Sequence, residues 1–234
     1  MPVVPTPVTG NSLGPAPVRA YRRPMTSDAH GTEIRTLAEL QQITGQPIAP
    51  ALAKERDHLV DVHRAWLAAS RFLLLATSGR DGTCDVSPKG DPAGFVHVVD
   101  DRTVAIPERP GNGRVDGWRN VLENPHVGVI LLVPGRNDTL RINGRARLVR
   151  DAPYFDELAV KGRRPLLACE VAIEQIYFHC PKAFLRSELW ATESWPAPDA
   201  LPSTAQLAKR LARPDEPLEK IEEYYGAGYA ARLY

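Results

Sequence analysis

The stretch FHCPKAFLRSELW, residues 178–190, brings together side chains that could bind a metal, act as a nucleophile or hold an anion. His179 and Cys180 are adjacent, so they rarely ligate one ion together, and zinc sites normally show well-spaced ligand pairs. We therefore expect no metal here. Cys180 beside Lys182 also fits a thiolate nucleophile, although a small buried thiol is the commoner state of a cysteine. The remaining donors and flat apolar side chains suit a planar aromatic ligand with anionic groups; they are Lys182, Phe184, Arg186, Ser187 and Trp190.

Two further motifs place cations beside glycines. SPKGD, residues 87–91, is predicted to follow a strand, with Lys89 beside a turn glycine, a pattern that an ordinary solvated hairpin lysine fits equally well. PERPGNGRVDGWRN, residues 107–120, is predicted to be a loop that runs into a helix. Its glycines allow backbone N–H groups to converge on an anion, and its arginines supply forked donors for phosphate oxygens. The loop lacks the GK[ST] of a Walker A motif, and each motif taken alone is a weak indication.

Helices and a proline-rich segment are predicted to precede these motifs. Residues 1–24 contain six prolines and few large apolar side chains, which is typical of a flexible tail. TLAELQQI, residues 36–43, predicts a helix that begins after a capping Thr36. ALAKERDHLVDVHRAWLAAS, residues 51–70, predicts one longer amphipathic helix. Its apolar stripe comprises Leu52, Leu59, Val62, Trp66 and Leu67.

The spacing of apolar residues along the sequence then changes from one that is typical of a helix to one that is typical of β-strands. Three hairpins are expected, with turns at Asp81-Gly82, Asp100-Asp101 and Pro134-Gly135. Five or six antiparallel strands in succession favour a barrel. A later strand over 165–180 changes phase near Glu174-Gln175, which predicts a β-bulge there.

The strand over 139–148 separates an apolar face from a cationic one. Leu140 and Ile142 begin an apolar series that continues in Ala146 and Leu148. The alternate positions carry three guanidinium groups and are expected to face anions or carboxylates. They are Thr139, Arg141, Asn143, Arg145 and Arg147.

Composition excludes several classes of function. The 234 residues carry 29 basic and 28 acidic side chains, a formal charge of +1, so no global field draws the protein to nucleic acid or to an anionic membrane. The three cysteines are Cys84, Cys169 and Cys180, which lack CxxC spacing and indicate a reducing compartment. No run of about 18 apolar residues occurs. Together with the absence of a signal pattern, this predicts a soluble cytoplasmic protein.

The order of these motifs resembles the pyridoxamine 5'-phosphate oxidase-like, FMN-binding split-barrel family over about residues 59–190. SPKGD, PGN-x-R, NP-x-VG, PG-x-x-x-TLR-x-NG and HC-x-KA-x-x-RS-x-LW stand in the order of one subgroup of FMN-dependent enzymes. The resemblance implies a mainly β fold with flanking helices around a six-stranded antiparallel split β-barrel. It also implies a homodimer with two shared flavin sites.

Carried over by motif, the resemblance implies contacts with FMN on both subunits. Arg109, Asn112 and Arg114 would hold the phosphate. Ser87, Pro88 and Lys89 would touch the ring or the ribityl chain, and Thr139 and Arg141 would line the site. The wall from the partner side would comprise Lys182, Arg186, Ser187 and Trp190.

These features predict an FMN-dependent oxidoreductase for a small organic substrate, with His179 as the candidate acid or base. Other hypotheses stay open: a flavin carrier with no substrate of its own, a split barrel that uses deazaflavin or haem, and a barrel that has lost its cofactor. The sequence ends in YGAGYAARLY, without the Arg-x-His element of true pyridoxamine 5'-phosphate oxidases, so oxidation of vitamin B6 is not expected. The expected divisions are a tail over 1–24, helices over 25–70, the barrel over 71–190 and a helical extension over 191–234 that packs on the core or on the partner.

Overall fold

A computed structural model of the protein describes residues 31–234, so the tail predicted over 1–24 lies outside the described residues. The chain divides into two compact units, Met1–Gln46 and Pro47–Tyr234. The second unit contains every motif that carries a predicted site residue.

The described part of the first unit contains one helix, α1 (Leu37–Thr44). The side chain of Thr36 accepts a hydrogen bond from the backbone N–H of Glu39, and the Glu39 carboxylate accepts one from the backbone N–H of Thr36. This reciprocal capping box satisfies two backbone donors that the helix itself cannot pair. The helix start predicted from the sequence is confirmed.

The second unit is built around a single antiparallel sheet. Over residues 47–234 the sheet contains seven strands in the order β2-β1-β5-β6-β7-β4-β3. The strands are β1 (Phe72–Ser78), β2 (Cys84–Gly90), β3 (His97–Asp100), β4 (Thr103–Glu108), β5 (His126–Leu132), β6 (Thr139–Val149) and β7 (Leu167–His179). The prediction of a mainly β fold with flanking helices is confirmed.

The three predicted hairpins are β1–β2, β3–β4 and β5–β6, and all three are confirmed. The implied number of six strands is wrong, because the strand predicted over 165–180 joins the three hairpins in the same sheet. The seventh strand, β7, pairs with β6 on one side and with β4 on the other, so it joins two hairpins into one sheet. Among the described residues the sheet does not close by main-chain pairing, because β2 and β3 remain at its two ends.

The predicted bulge in β7 is also present. Asn143 pairs with Gln175 and Gly144 with Ile173, so Glu174 is an extra residue with no partner on β6. The extra residue reverses the inward and outward alternation of β7, as the change of phase in the sequence indicated.

The prediction of one helix over 51–70 is wrong. The chain forms α2 (Ala49–Ala53) and α3 (Asp61–Ala69), separated by an irregular segment. Leu52 and Val62, which were expected on the buried stripe, are 58% and 60% exposed.

Pairing with the sheet interrupts the helix between α2 and α3. The N–H of Arg56 donates to the carbonyl of Ile176 at 3.0 Å, and the N–H of Ile176 donates to the carbonyl of Arg56 at 2.7 Å. The N–H of Leu59 donates to the carbonyl of Asp101 at 2.7 Å. These bonds draw 56–59 out of the helix, because a backbone group that pairs with a strand cannot also pair within a helix.

The core lies between the inner face of the sheet and helices α3 and α4 (Asp116–Glu123). The other helices are α5 (Lys182–Ser187), α6 (Thr204–Leu211) and α7 (Leu218–Tyr225). The largest core side chains include Trp66, Leu67, Leu73, Leu75, Ile106, Leu131, Leu140, Ile142 and Ile176. Among the residues that the structure describes, no helix combines the length and apolar character needed to cross a bilayer.

The connection between β6 and β7 covers one part of the sheet's outer face. Tyr154, Phe155 and Leu158 pack over Ala105 and Ala168 and form a second, smaller apolar cluster. The chain thus buries one end of its own outer face.

Candidate functional site

Lys89 lies within β2, which corrects the expectation that SPKGD follows the strand. Main-chain pairing with β1 continues as far as Gly90, which stands opposite Phe72. Lys89 Nζ donates to Glu108 Oε2 at 2.6 Å and lies 4.3 Å from the centroid of the Trp118 ring. Because the ammonium has a carboxylate partner, its charge is balanced within the chain.

This ion pair connects two distant strands of the sheet. Lys89 is on β2 and Glu108 is on β4, the first and sixth strands in the sheet order. Neighbouring strands are about 4.8 Å apart, so in a flat sheet five strand spacings would separate β2 from β4 by about 24 Å. The sheet must therefore curl until β2 approaches β4, and side chains bridge the gap. We call this gap the seam of the barrel.

A second ion pair crosses the seam directly beyond the first. Arg109 Nε donates to Asp91 Oδ2 at 2.6 Å, and the two side chains are 12% and 2% exposed. Arg109 Nη2 also donates to the carbonyl of Leu158 at 2.6 Å, and Nη1 to the carbonyl of Arg163 at 3.4 Å. The guanidinium predicted to hold a phosphate is thus largely occupied by partners from its own chain.

The loop over 110–115, which we call the anion loop, follows Arg109 and leads into α4. The side-chain oxygen of Asn112 accepts a hydrogen bond from the N–H of Arg114 at 2.9 Å, and Gly113 has φ +74°. A side chain at Gly113 would strain this turn. In the part of the chain that the structure describes, no side chain caps the start of α4, so its first N–H groups are open to an anion.

Arg114 is the exposed cation of this loop. Its guanidinium is 78% exposed and pairs with Asp116 in the first turn of α4. That hydrogen bond raises the pKa of Arg114 and lowers the pKa of Asp116. Because such an exposed pair is weakly held, Arg114 can exchange Asp116 for a phosphate at little cost.

The cationic face predicted on β6 is present, but its arginines differ in their partners. Arg147 Nε donates to Glu170 Oε2 at 2.7 Å, whereas Arg145 contacts the ring of His126. Arg141 Nε donates to the side-chain oxygen of Asn143 at 3.2 Å, a neutral partner. Arg141 also lies 5.8 Å from the ring centroid of Tyr177 on β7. Among the described residues, Arg141 and Arg145 form no ion pair with a carboxylate.

The outer face of β2, β1 and β5 is mainly apolar, and no described residue of the chain covers it. Pro88, Leu74, Ile130 and Arg141 form one row across these strands and β6, because each residue pairs with the next. Paired residues project to the same side of a sheet. The neighbouring side chains Val86 and Phe72 are 62% and 36% exposed, and Ile130 is 37% exposed.

The segment over 178–190 begins in the last two residues of β7. Thr139 is buried opposite His179, which is exposed at the end of β7. Trp190 Nε1 donates to the carbonyl of Arg136 at 2.8 Å, and its ring stacks on that of Phe184 with centroids 5.9 Å apart. The exposed polar side chains of this segment are His179, Cys180, Lys182, Arg186, Ser187 and Glu188.

Burial raises the pKa of two side chains, Cys169 near the seam and Tyr154 in the covered part of the outer face. Desolvation raises the pKa of the Cys169 thiol to about 12, so this cysteine stays protonated in the core. The hydroxyl of Tyr154 donates to Glu170 Oε1 at 2.8 Å. Burial, and secondly this hydrogen bond, raise the pKa of Tyr154.

The predicted site residues fall into three groups within one chain. The first lies at the seam, the second in the anion loop, and the third on the outer face and in the segment that follows β7. The group at the seam comprises Ser87, Lys89 and Arg109, and the group in the anion loop comprises Asn112 and Arg114. The third group comprises Pro88, Thr139, Arg141, His179, Lys182, Arg186, Ser187 and Trp190.

Sequence reasoning missed the acidic partners at the seam. Asp91 lies in SPKGD and Glu108 in PERPGN, so each motif contains both a cation and an anion, a signal that could have suggested mutual pairing. It also missed Tyr234, whose hydroxyl donates to Asp91 Oδ1 at 2.6 Å. Nothing in the sequence points to a contact between residues so far apart.

A seven-stranded antiparallel sheet that curls without closing, flanked by helices, defines the split-barrel class of fold. The sequence model of the family described as "Pyridoxamine 5'-phosphate oxidase" matches residues 59–180, just over half of the chain. The chain therefore belongs to that family. None of the curated proteins matches the sequence.

Several solved structures are similar to parts of this chain. HupZ of Group A Streptococcus has 18% sequence identity, covers 51% of this chain and 94% of its own, and has a TM-score of 0.41. General stress protein 26 of Bacillus anthracis has 16% identity, coverage of 49% and 88%, and a TM-score of 0.38. A FAD-binding protein of Mesorhizobium loti has 18% identity, coverage of 53% and 96%, and a TM-score of 0.34.

Proposed function

We propose that the protein is an FMN-dependent oxidoreductase that acts on a small organic molecule, with the flavin held between two copies of the chain. The observation that carries this proposal is the apolar face of β2, β1 and β5, which no described residue covers and which borders Arg141 on β6, a cation without an ion pair to any described carboxylate. A flat aromatic ring with polar edges matches an apolar surface bordered by a guanidinium group.

The donor set around this face fits the remaining parts of FMN. The backbone N–H groups of the anion loop and of the start of α4, together with Arg114 and Asn112, are suited to a phosphate. Arg109 supports the loop through Asp91, rather than binding the phosphate itself. The polar side chains and Trp190 of the segment over 178–190 would close the site from the partner's side.

Bound FMN would accept a hydride equivalent from the substrate, and the chain would supply position and charge. Negative charge that develops on the ring needs a nearby cation. Lys182 suits this role better than Lys89, because Glu108 already neutralises Lys89. His179, exposed at the end of β7, is the proposed proton donor or acceptor.

The first experiment is a visible absorption spectrum of the protein purified without added cofactor, followed by analysis of any compound released on denaturation. We expect a two-band flavin spectrum and released FMN.

Addition of NADH or NADPH without oxygen should bleach these bands if the protein is a reductase, and should leave them unchanged in a flavin carrier. A Soret band would indicate haem, and a different released chromophore would indicate deazaflavin. A colourless protein that also fails to bind added FMN would overturn the proposal.

A further inference from the structure

Tyr234 joins the segment after α7 to the ion pair at the seam. Its hydroxyl donates to Asp91 Oδ1, while Arg109 Nε donates to Asp91 Oδ2, both at 2.6 Å. The Arg109 guanidinium and the Lys161 ammonium each lie 5.6 Å from the centroid of the Tyr234 ring. The ring thus contacts two cations, and its hydroxyl binds the carboxylate that neutralises one of them.

Four separate segments of the chain converge at Arg109. Asp91 directly follows β2, and Arg109 itself directly follows β4. The connection between β6 and β7 contributes the carbonyl groups of Leu158 and Arg163 and the side chain of Lys161. Tyr234 is the fourth contributor. Three of the four segments are attached to strands of the sheet, so the sheet fixes their positions, and Tyr234 adds a contact from outside it.

The anion loop depends on this junction because the loop begins at the residue after Arg109. Its other end is the first turn of α4, which packs against β1, β2 and β6. Between these two anchors the loop side chains are exposed, and the described ion-pair partner of Arg114 is Asp116, two residues away. The order of the loop therefore rests on how firmly its two ends are held.

We propose that Tyr234 is a positioning residue for the anion loop. By holding Asp91 against Arg109, its hydroxyl fixes the first end of the loop, so that the loop presents its N–H groups and Arg114 to a phosphate. The hydrogen bond to Asp91 raises the pKa of Tyr234, a direction that favours the hydroxyl as donor. The identity of the ligand rests on the proposed function, whereas the order of the loop does not.

The test compares Tyr234→Phe, which removes only the hydroxyl, with Tyr225→Phe as a matched control. Tyr225 lies in α7 within the same part of the chain and contacts the rings of Tyr224 and Tyr229 rather than the seam. Amide hydrogen exchange over 109–115 is measured in the full chain without ligand. Binding of FMN and of riboflavin, which lacks the phosphate, is then titrated by fluorescence quenching.

We expect Tyr234→Phe to speed exchange in the anion loop by about fivefold, the effect of losing one hydrogen bond of ordinary strength. The same variant should weaken FMN binding by a similar factor and leave riboflavin binding unchanged, a difference that general destabilisation would not produce. Tyr225→Phe should match the wild type in both measurements. Equal exchange in the two variants would overturn the positioning role. Faster exchange in Tyr234→Phe, in a protein that binds no flavin, would support the role and contradict the proposed function instead.

Discussion

At the scale of single residues, the Asp91–Arg109 pair shows how burial changes the value of a charge. Exposed ion pairs contribute little to stability, because water screens them and because ordering two long side chains is costly. A buried pair differs, because the removal of one partner leaves an uncompensated charge in a poorly solvated place. Asp91 is 2% exposed and accepts hydrogen bonds from Arg109 and Tyr234, so its loss would leave both donors without their acceptor.

We predict that Asp91→Asn lowers the free energy of unfolding by about 3 kcal/mol, the usual cost of breaking a buried pair. Asp138→Asn is the matched control, because Asp138 pairs with Arg136 through side chains that are much more exposed. That change should cost about 0.5 kcal/mol or less. Urea titrations followed by circular dichroism measure both values. Similar losses in the two variants would show that the seam pair contributes no more than a surface pair.

The residue types at the seam were predictable, but their ion-pair partners were not. The sequence identified Lys89 and Arg109 as cations on glycine-containing motifs and predicted that they bind an anion. The structure pairs them with Glu108 and Asp91, which lie in the same two motifs. A motif shows which charged residues are close in the sequence. The curl of the sheet determines which of them form ion pairs across the seam.

At the scale of elements, local signals succeeded where the segment determines its own structure. The N-cap at Thr36 and the bulge near Glu174-Gln175 were both predicted and are both present. The helix predicted over 51–70 failed because 56–59 pairs with distant residues of the sheet. Helical periodicity could not reveal this interruption, since the partner of Arg56 is Ile176, far along the chain.

The bulge also explains a glycine in the middle of β6. A Cβ atom on Gly144 would lie 2.0 Å from the carbonyl oxygen of Ala172, so any larger residue must displace the backbone of β7. We predict that Gly144→Ala lowers the free energy of unfolding by about 3 kcal/mol, as overpacking against a rigid neighbour does. Gly128→Ala on β5 is the control, because its Cβ would meet Asn143 at 3.4 Å, an ordinary contact. Chemical denaturation compares the two, and equal stability would show that β7 shifts without strain.

At the scale of the whole molecule, the sheet is covered unevenly on its outer face. The connection between β6 and β7 buries one part under Tyr154, Phe155 and Leu158. The other part, over β2, β1 and β5, has no cover among the described residues of the same chain. An exposed apolar patch on one side of a sheet is typical of an interface. A second copy of the chain would cover this part and would bring the three groups of predicted site residues together.

We therefore predict that the protein is a dimer and that Ile130→Lys makes it monomeric, because a charge in the middle of the apolar face would be buried without a partner. Leu122→Lys is the control. Leu122 is 77% exposed on α4, which packs on the inner side of the sheet, so this change should leave the dimer intact. Light scattering coupled to size-exclusion chromatography gives the masses, and circular dichroism verifies folding.

If the flavin lies between subunits, monomeric Ile130→Lys should also lose FMN, whereas a monomer that retains FMN with wild-type affinity would place the whole site within one chain. A wild type that is itself monomeric would remove the need for a partner and leave the apolar face to be explained by another ligand.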